Sequence, residues 1–311
     1  MSDLPASTPN PRRTIPAGMT FSGWRAADGW PLRSYAWPQT GAARGSILFL
    51  TGRGDFIEKY LEVLIHWHGE GWNIAGFDWR GQGGSGRMLA DPMICHQTDF
   101  DSLVDDLTGF VERWVAETPA PHVIVAHSMG AHLTLRMLAR RSEGIDAAVL
   151  ASPMIGIRIK GVPIWLVGSL ARAASAIGLA ERRISGRDIG DVGGRMTSCP
   201  DRRADKMWWK ATKPEIASGV PSWSWVRAAF ASIARLPDAT LARIRTPILL
   251  VAARGDPIVD VPAIEHAAKV LSEAQLNLID GGGHEIMREV DDRRLPVLAR
   301  IDAFLDQTGA A

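Results

Sequence analysis

Apolar residues in this chain come in short, dense runs. Ile47-Leu-Phe-Leu50, Asn73-Ile-Ala-Gly-Phe77, His122-Val-Ile-Val125, Ala147-Ala-Val-Leu150, Ile248-Leu-Leu-Val251 and Leu276-Asn-Leu-Ile279 are each bounded by glycine, proline or polar residues. Runs of this kind predict strands buried on both faces. The stretches Phe56 to His68, Phe100 to Ala116, Met129 to Arg141, Val261 to Leu271 and Leu295 to Phe304 have helical spacing instead. Strands alternating with helices predict a parallel sheet covered on both faces. Ahead of it, Thr20 to Trp24 and Pro31 to Trp37 flank an Ala27-Asp28-Gly29 turn, which predicts an antiparallel hairpin at the sheet edge.

The alternation stops between Pro153 and about Thr240. This segment is helical in pattern, basic in places and rich in tryptophan: Trp165, Trp208, Trp209, Trp223 and Trp225. The expected organisation is a flexible tail over residues 1–19, a core over 20–152, a helical cap over 153–240 and the rest of the core over 241–311. The tryptophans either pack the cap onto the core or wall an apolar pocket. One or two are expected to serve the pocket. The apolar stretch Val162 to Ala180 is interrupted by Arg172 and suits a cap helix better than a membrane span. Val162 to Leu179, flanked by Arg158, Lys160, Arg182 and Arg183, also raises the expectation of transient docking on a membrane surface.

A chain of 311 residues suits one large domain with an insertion. The formal net charge of +1 gives no electrostatic case for nucleic acid. Cys95 and Cys199 lack metal-type spacing and are expected as free thiols. Met1 to Arg13 has no apolar core of a signal peptide, so a cytoplasmic location, peripheral to a membrane at most, is expected. No cofactor or metal is expected.

The candidate chemistry begins where Val123-Ile-Val-Ala-His127 runs into Ser128-Met-Gly130 and a helical stretch. Strand, sharp turn with serine, then helix is a nucleophile elbow. The turn demands small neighbours, which Ala126 and Gly130 supply. A serine hydroxyl needs a base, and the base needs an orienting acid. His284 follows three glycines at a predicted strand's end, where packing does not explain it. Asp256 sits in the turn after Ile248-Leu-Leu-Val251. Asp260 is the alternative acid, with a helix N-cap as its plainer role. Met129 and Arg53 are the candidate donors of two oxyanion amides, Arg53 from the loop Thr51-Gly-Arg-Gly54. The Arg53 guanidinium is either a surface group or a partner for a substrate phosphate. His66 and His68 face different ways on a helix and make poor metal ligands. Gly81-Gln-Gly-Gly-Ser-Gly86 fits the dinucleotide pattern G-x-G-x-x-G, but Pro92 follows where a helix would have to open.

Together these motifs resemble the lysophospholipase and monoacylglycerol lipase branch of the serine α/β-hydrolases, over roughly Phe21 to Phe304. The resemblance lies in Thr51-Gly-Arg-Gly-Asp-Phe-Ile-Glu-Lys-Tyr60, in Phe77-Asp-Trp-Arg-Gly-Gln-Gly-Gly-Ser-Gly86 and in Ala126-His-Ser-Met-Gly130. In the cap it lies in Arg195-Met-Thr-Ser198 and Gly219-Val-Pro-Ser-Trp-Ser-Trp225. Thr51 stands where many relatives have histidine, and Ala126 where the pattern has glycine. The resemblance implies an α/β-hydrolase fold: a mostly parallel sheet of about eight strands, helices on both faces and an inserted helical cap. It implies Ser128 as nucleophile, His284 as base, Asp256 as acid, and Arg53 and Met129 as oxyanion donors. The expected activity is hydrolysis of a lipid-like acyl ester, a lysophospholipid or monoacylglycerol, through an acyl-enzyme. A small-ester or amide-cleaving relative, and a non-catalytic ligand binder on the same fold, are the alternatives. Dehalogenase and epoxide hydrolase chemistry would require aspartate at Ser128.

Overall fold

The computed structural model describes residues 10–158, 164–186 and 196–308. Its centre is an eight-stranded sheet in the order β1-β2-β4-β3-β6-β7-β9-β10. These are β1 (Thr20–Arg25), β2 (Pro31–Trp37), β3 (Gly45–Leu50), β4 (Trp72–Phe77), β6 (His122–His127), β7 (Ala147–Ala151), β9 (Ile248–Ala253) and β10 (Ala274–Ile279). The hairpin β1–β2 and the β2–β4 pair are antiparallel, and every other pairing in the sheet is parallel. A second, two-stranded pair joins β5 (Ile94–Cys95) to β8 (Val220–Pro221).

The apolar runs become central strands because both faces of the sheet are covered. In β3, Ile47 and Phe49 enter one core while Leu48 and Leu50 enter the other. The period of two thus places apolar side chains on both sides. Helices α2 (Asp101–Glu117), α3 (Met129–Leu138) and α8 (Val261–Val270) pack into one core, and α1 (Leu61–Gly69) and α9 (Asp291–Thr308) into the other. Cys95 and Cys199 are both buried and neither is in a disulfide.

The insertion between β7 and β9 carries α4 (Ile164–Ala176), α5 (Pro200–Thr212), α6 (Trp223–Ile233) and the short α7 (Asp238–Leu241). Helix α6 starts at Ser222, whose hydroxyl accepts from the Trp225 amide at 3.1 Å, an N-cap that satisfies one orphan donor. No helix among the described residues is long and apolar enough to cross a membrane.

Three local expectations change. Residues 10–19 are not a loose tail: Pro11–Arg13 forms a 3-10 turn whose Arg12 and Arg13 both pair with Asp205 of α5. Trp209 closes the contact by donating to the Arg12 carbonyl at 2.9 Å. Residues 1–9 lie outside the described residues, as do Lys160, Val162 and Arg195. The helix expected from Phe56 opens as a 3-10 turn, Ile57–Tyr60, before α1. The helix expected from Leu295 opens a turn earlier, where the Arg293 and Arg294 amides both donate to the Val290 carbonyl at 2.9 Å. Pro296 lies inside it.

Candidate active site

Ser128 stands between the end of β6 and the first residue of α3 with φ 53° and ψ −112°. A serine at positive φ is strained, and the surroundings hold it there. Its amide donates to the Ala151 carbonyl at 2.9 Å, and its carbonyl accepts from His132 at 3.0 Å and Met154 at 3.2 Å. The turn also needs close approach: a Cβ on Gly130 would stand 2.5 Å from the Thr51 carbonyl oxygen.

The strand-end loops expected to supply a base and an acid meet at this serine. His284 Nε2 lies 2.8 Å from Ser128 Oγ, and His284 Nδ1 lies 2.8 Å from Asp256 Oδ2. A carboxylate can only accept, so Nδ1 carries the proton and Nε2 is left to accept from the serine. The other Asp256 oxygen accepts from the Ile258 amide at 2.8 Å and the Val259 amide at 3.1 Å. Burial opposes the charge on Asp256, but His284 and these two amides outweigh it and hold the carboxyl below its ordinary range. Asp260 stands at the start of α8, and its side chain makes no capping bond there.

A second layer of buried polar groups lies behind the imidazole. His127 Nε2 faces the His284 carbonyl oxygen at 3.2 Å, so it donates. Ser152, itself at φ 46°, donates to the same oxygen at 2.9 Å. His127 Nδ1 lies 3.0 Å from the Tyr60 hydroxyl, and that hydroxyl lies 2.8 Å from Asp55 Oδ2. Burial, helped by the neighbouring His284, pushes His127 down to about 4, so it is neutral near pH 7. Lys59 pairs with Asp55 and, at 2.6 Å, with Glu285. Burial would raise Glu285, yet Lys59 and Arg288 hold it well below the usual carboxylate range.

The loop after β3 passes directly over the elbow. A Cβ on Gly52 would stand 3.0 Å from His127 Nδ1 and 3.2 Å from Ser128 Cβ. Trp79 Nε1 donates to the Thr51 carbonyl at 2.8 Å, and the Gly54 amide donates to Gln82. The glycine-rich stretch after β4 therefore braces this loop. It runs through turns, not a helix, with Gly81, Gly83 and Gly86 at positive φ. A Cβ on Gly83 would reach within 2.3 Å of the Asp78 carboxyl.

Ser128 and His284 open into a cavity of about 440 Å³. The loop contributes Gly52 and Arg53, and the insertion contributes Val167, Leu170, Trp223, Trp225, Val226 and Phe230. Arg53 Nη1 donates to the Gly219 carbonyl at 2.9 Å, and its guanidinium lies 5.7 Å from the Trp225 ring centre. Met129 is buried as the first residue of α3. Of the cap tryptophans, Trp223 and Trp225 line the cavity, while Trp208 and Trp209 pack edge to face on α5. The side chain of Trp165 lies outside the described residues. His66 bonds Asp302 at 2.9 Å and His68 stacks on Trp37, so the two histidines serve packing.

Sequence reasoning missed Ser152, Tyr60, Lys59 and Glu285. The available signal was charge inside an apolar setting: Glu58-Lys59 sits between Phe56-Ile57 and Tyr60-Leu61, and Glu285 between the candidate base and Ile286-Met287.

The sheet order, the strained serine after a central strand and the insertion define an α/β-hydrolase. The serine aminopeptidase S33 family matches residues 41–291, and the chain belongs to that serine-hydrolase family. It is 30% identical to the probable lysophospholipase L2 of Haemophilus influenzae over 272 residues, 85% of each chain. It is 29% identical to lysophospholipase L2 of Escherichia coli K12 over 279 residues, 84% of this chain and 80% of that one. Among solved structures, a soluble variant of the monoglyceride lipase of Saccharomyces cerevisiae superposes with a TM-score of 0.75 at 20% identity, covering 96% of this chain and 99% of that one. The monoacylglycerol lipase of Paleococcus ferrophilus superposes at 0.70 and 19% identity, covering 89% and 99%.

Proposed function

We propose that this protein hydrolyses the carboxylic ester of a lipid-like acyl substrate through an acyl-enzyme on Ser128. The observation that carries the reading is the hydrogen-bonded series Ser128 Oγ, His284, Asp256, whose first two members line an apolar cavity. Ser128 Oγ attacks the ester carbonyl while His284 Nε2 takes its proton. Asp256 holds the imidazolium that forms, and the amides of Met129 and Arg53 receive the oxyanion. The proton then passes to the leaving alcohol. Water, deprotonated by the same imidazole, attacks the acyl-enzyme and releases the acid.

Support for a lipid-like acyl group comes from the cavity's apolar wall and from the lysophospholipases and lipases that the chain is similar to. Contact with a lipid surface through α4 belongs to the same proposal. Leu170 both lines the cavity and is exposed, Ile177 is exposed just past the helix, and Arg172 and Arg182 are exposed in the same stretch of chain. Loss of vesicle co-sedimentation in a Leu170→Ser, Ile177→Ser variant is the expected result for that contact, and unchanged sedimentation would reject it.

The decisive experiment treats the protein with a fluorophosphonate and maps the adduct, alongside Ser128→Ala and His284→Ala. Labelling confined to Ser128 and dependent on His284 is expected, followed by turnover that rises with acyl chain length on a series of esters. An unlabelled wild-type protein would favour ligand binding without catalysis. A preference for acetyl esters or amides would remove the lipid reading.

A further inference from the structure

We propose that Arg158 is a headgroup subsite at the mouth of the cavity, binding the phosphate of a lysophospholipid whose acyl chain lies against the cap. The inference rests on the reading that the Ser128 cavity takes a lipid-like ester, and it names the substrate's polar half. Arg158 lines the same cavity as Ser128 and His284. Its backbone is fixed to the turn that carries the candidate acid: the Arg158 amide donates to the Ile258 carbonyl at 2.8 Å, and Ile157 bridges to Val259. The amides of Ile258 and Val259 are the two that hold Asp256. One short stretch of chain thus positions both the acid and the arginine.

Arg158 is exposed, and among the described residues no carboxylate pairs with it. Arginines that reach into the fold are matched: half-buried Arg33 with Glu58 and Asp78, buried Arg80 with Asp28 and Asp106, and buried Arg202 with Glu62 and Asp291. Arg53, the cation first considered for a substrate phosphate, is engaged by the Gly219 carbonyl and Trp225. Asp55, the carboxylate on the cavity wall, is taken by Lys59 and Tyr60. Among the described residues Arg158 therefore brings a positive charge without a carboxylate partner to a cavity whose insertion wall is apolar. A guanidinium forms two parallel hydrogen bonds to a phosphate, a geometry that an ammonium does not match. In a lysophospholipid the glycerol carbons separate the ester from the phosphate, so a carbonyl at Ser128 leaves the phosphate toward the opening.

The test measures binding, so it does not depend on turnover. Tryptophan fluorescence from Trp223 and Trp225 follows titration with two uncleavable dodecyl ethers, one of lysophosphatidylglycerol and one of glycerol, both below their micelle-forming concentrations. The wild-type protein is expected to bind the phosphate ether about tenfold more tightly. Arg158→Gln should bring that ratio close to one and leave affinity for the neutral ether unchanged, while Arg158→Lys keeps part of the preference. An unchanged ratio in Arg158→Gln overturns the proposal, and so does equal weakening of both ethers. Glycerol 3-phosphate binding as tightly as the phosphate ether would mark a free-phosphate site and overturn it too. A protein that shows the tenfold ratio but cleaves neither corresponding ester keeps the subsite and loses the hydrolase reading.

Discussion

His127 holds His284 from behind, through a hydrogen bond from its Nε2 to the His284 carbonyl oxygen at 3.2 Å. The residue next to the candidate nucleophile therefore acts on the backbone of the candidate base. Ser152 makes the second bond to the same oxygen, so the ends of β6 and β7 jointly set where the imidazole sits.

Removing either donor should loosen the base from its backbone side. His127→Phe and Ser152→Ala are each expected to lower kcat about tenfold with KM nearly unchanged, since small misplacements of a catalytic group are costly. The double variant should fall further than either. Steady-state kinetics on a soluble ester checks this, and a loss confined to KM would reject a positioning role.

Asp256→Asn preserves shape and removes the charge that selects the His284 tautomer. We expect kcat to fall by about 10³ to 10⁴, by analogy with acid-to-amide changes in triads. Fluorophosphonate labelling should slow in parallel. A variant within tenfold of wild type would move the acid's role elsewhere, Asp260 first.

Gly130→Ala should be poorly tolerated. The added Cβ would stand 2.5 Å from the Thr51 carbonyl oxygen and 3.1 Å from that of Leu50, and neither backbone atom can rotate away. A loss of about 2–3 kcal/mol in urea unfolding is expected from such overpacking. Loss of activity should accompany it, because the displaced loop carries Arg53.

His132 predicts how stability depends on pH. It is buried on α3, its Nε2 lies 2.7 Å from Ser232 Oγ, and burial, then Arg136, pushes it down from 6.5 to about 3. The unfolded chain takes up a proton near pH 6.5 that the native state refuses until about 3. Its contribution is therefore fully present above pH 6.5 and is lost as pH falls below that value. For this histidine alone, about 2 kcal/mol disappears between pH 7 and pH 5. Urea midpoints for His132→Gln should fall less steeply over that range than those of the wild type.

The central strands were legible because burial on both faces leaves apolar runs, and β3, β6, β7 and β9 show it residue by residue. Ser128, Asp256 and His284 stood out because a turn, a strand end and a run of glycines each left a reactive side chain that packing did not need. The second layer was hidden because its partners are remote in sequence: Lys59 and Glu285 are 226 positions apart. Remoteness in sequence also concealed the docking of Arg12 and Arg13 on Asp205, which turns part of an expected tail into structure. The start of α9 lies earlier than the spacing from Leu295 indicates, because the Val290 carbonyl accepts from the Arg293 and Arg294 amides.

The insertion is joined to the rest of the molecule by two kinds of force. Helix α5 is held by charge around a buried Trp209, through Asp205 to Arg12 and Arg13 and through Arg202 to Glu62 and Asp291. Helix α6 is held by apolar packing, with Trp225, Val226 and Ala229 in the core that also takes Ala171 of α4. Added salt screens the first kind where it meets solvent, whereas a salting-out anion such as sulfate strengthens the second. Chloride and sulfate at equal ionic strength are thus separate handles on the insertion, sulfate tightening the half that walls the cavity while both relax the half that anchors the amino-terminal segment.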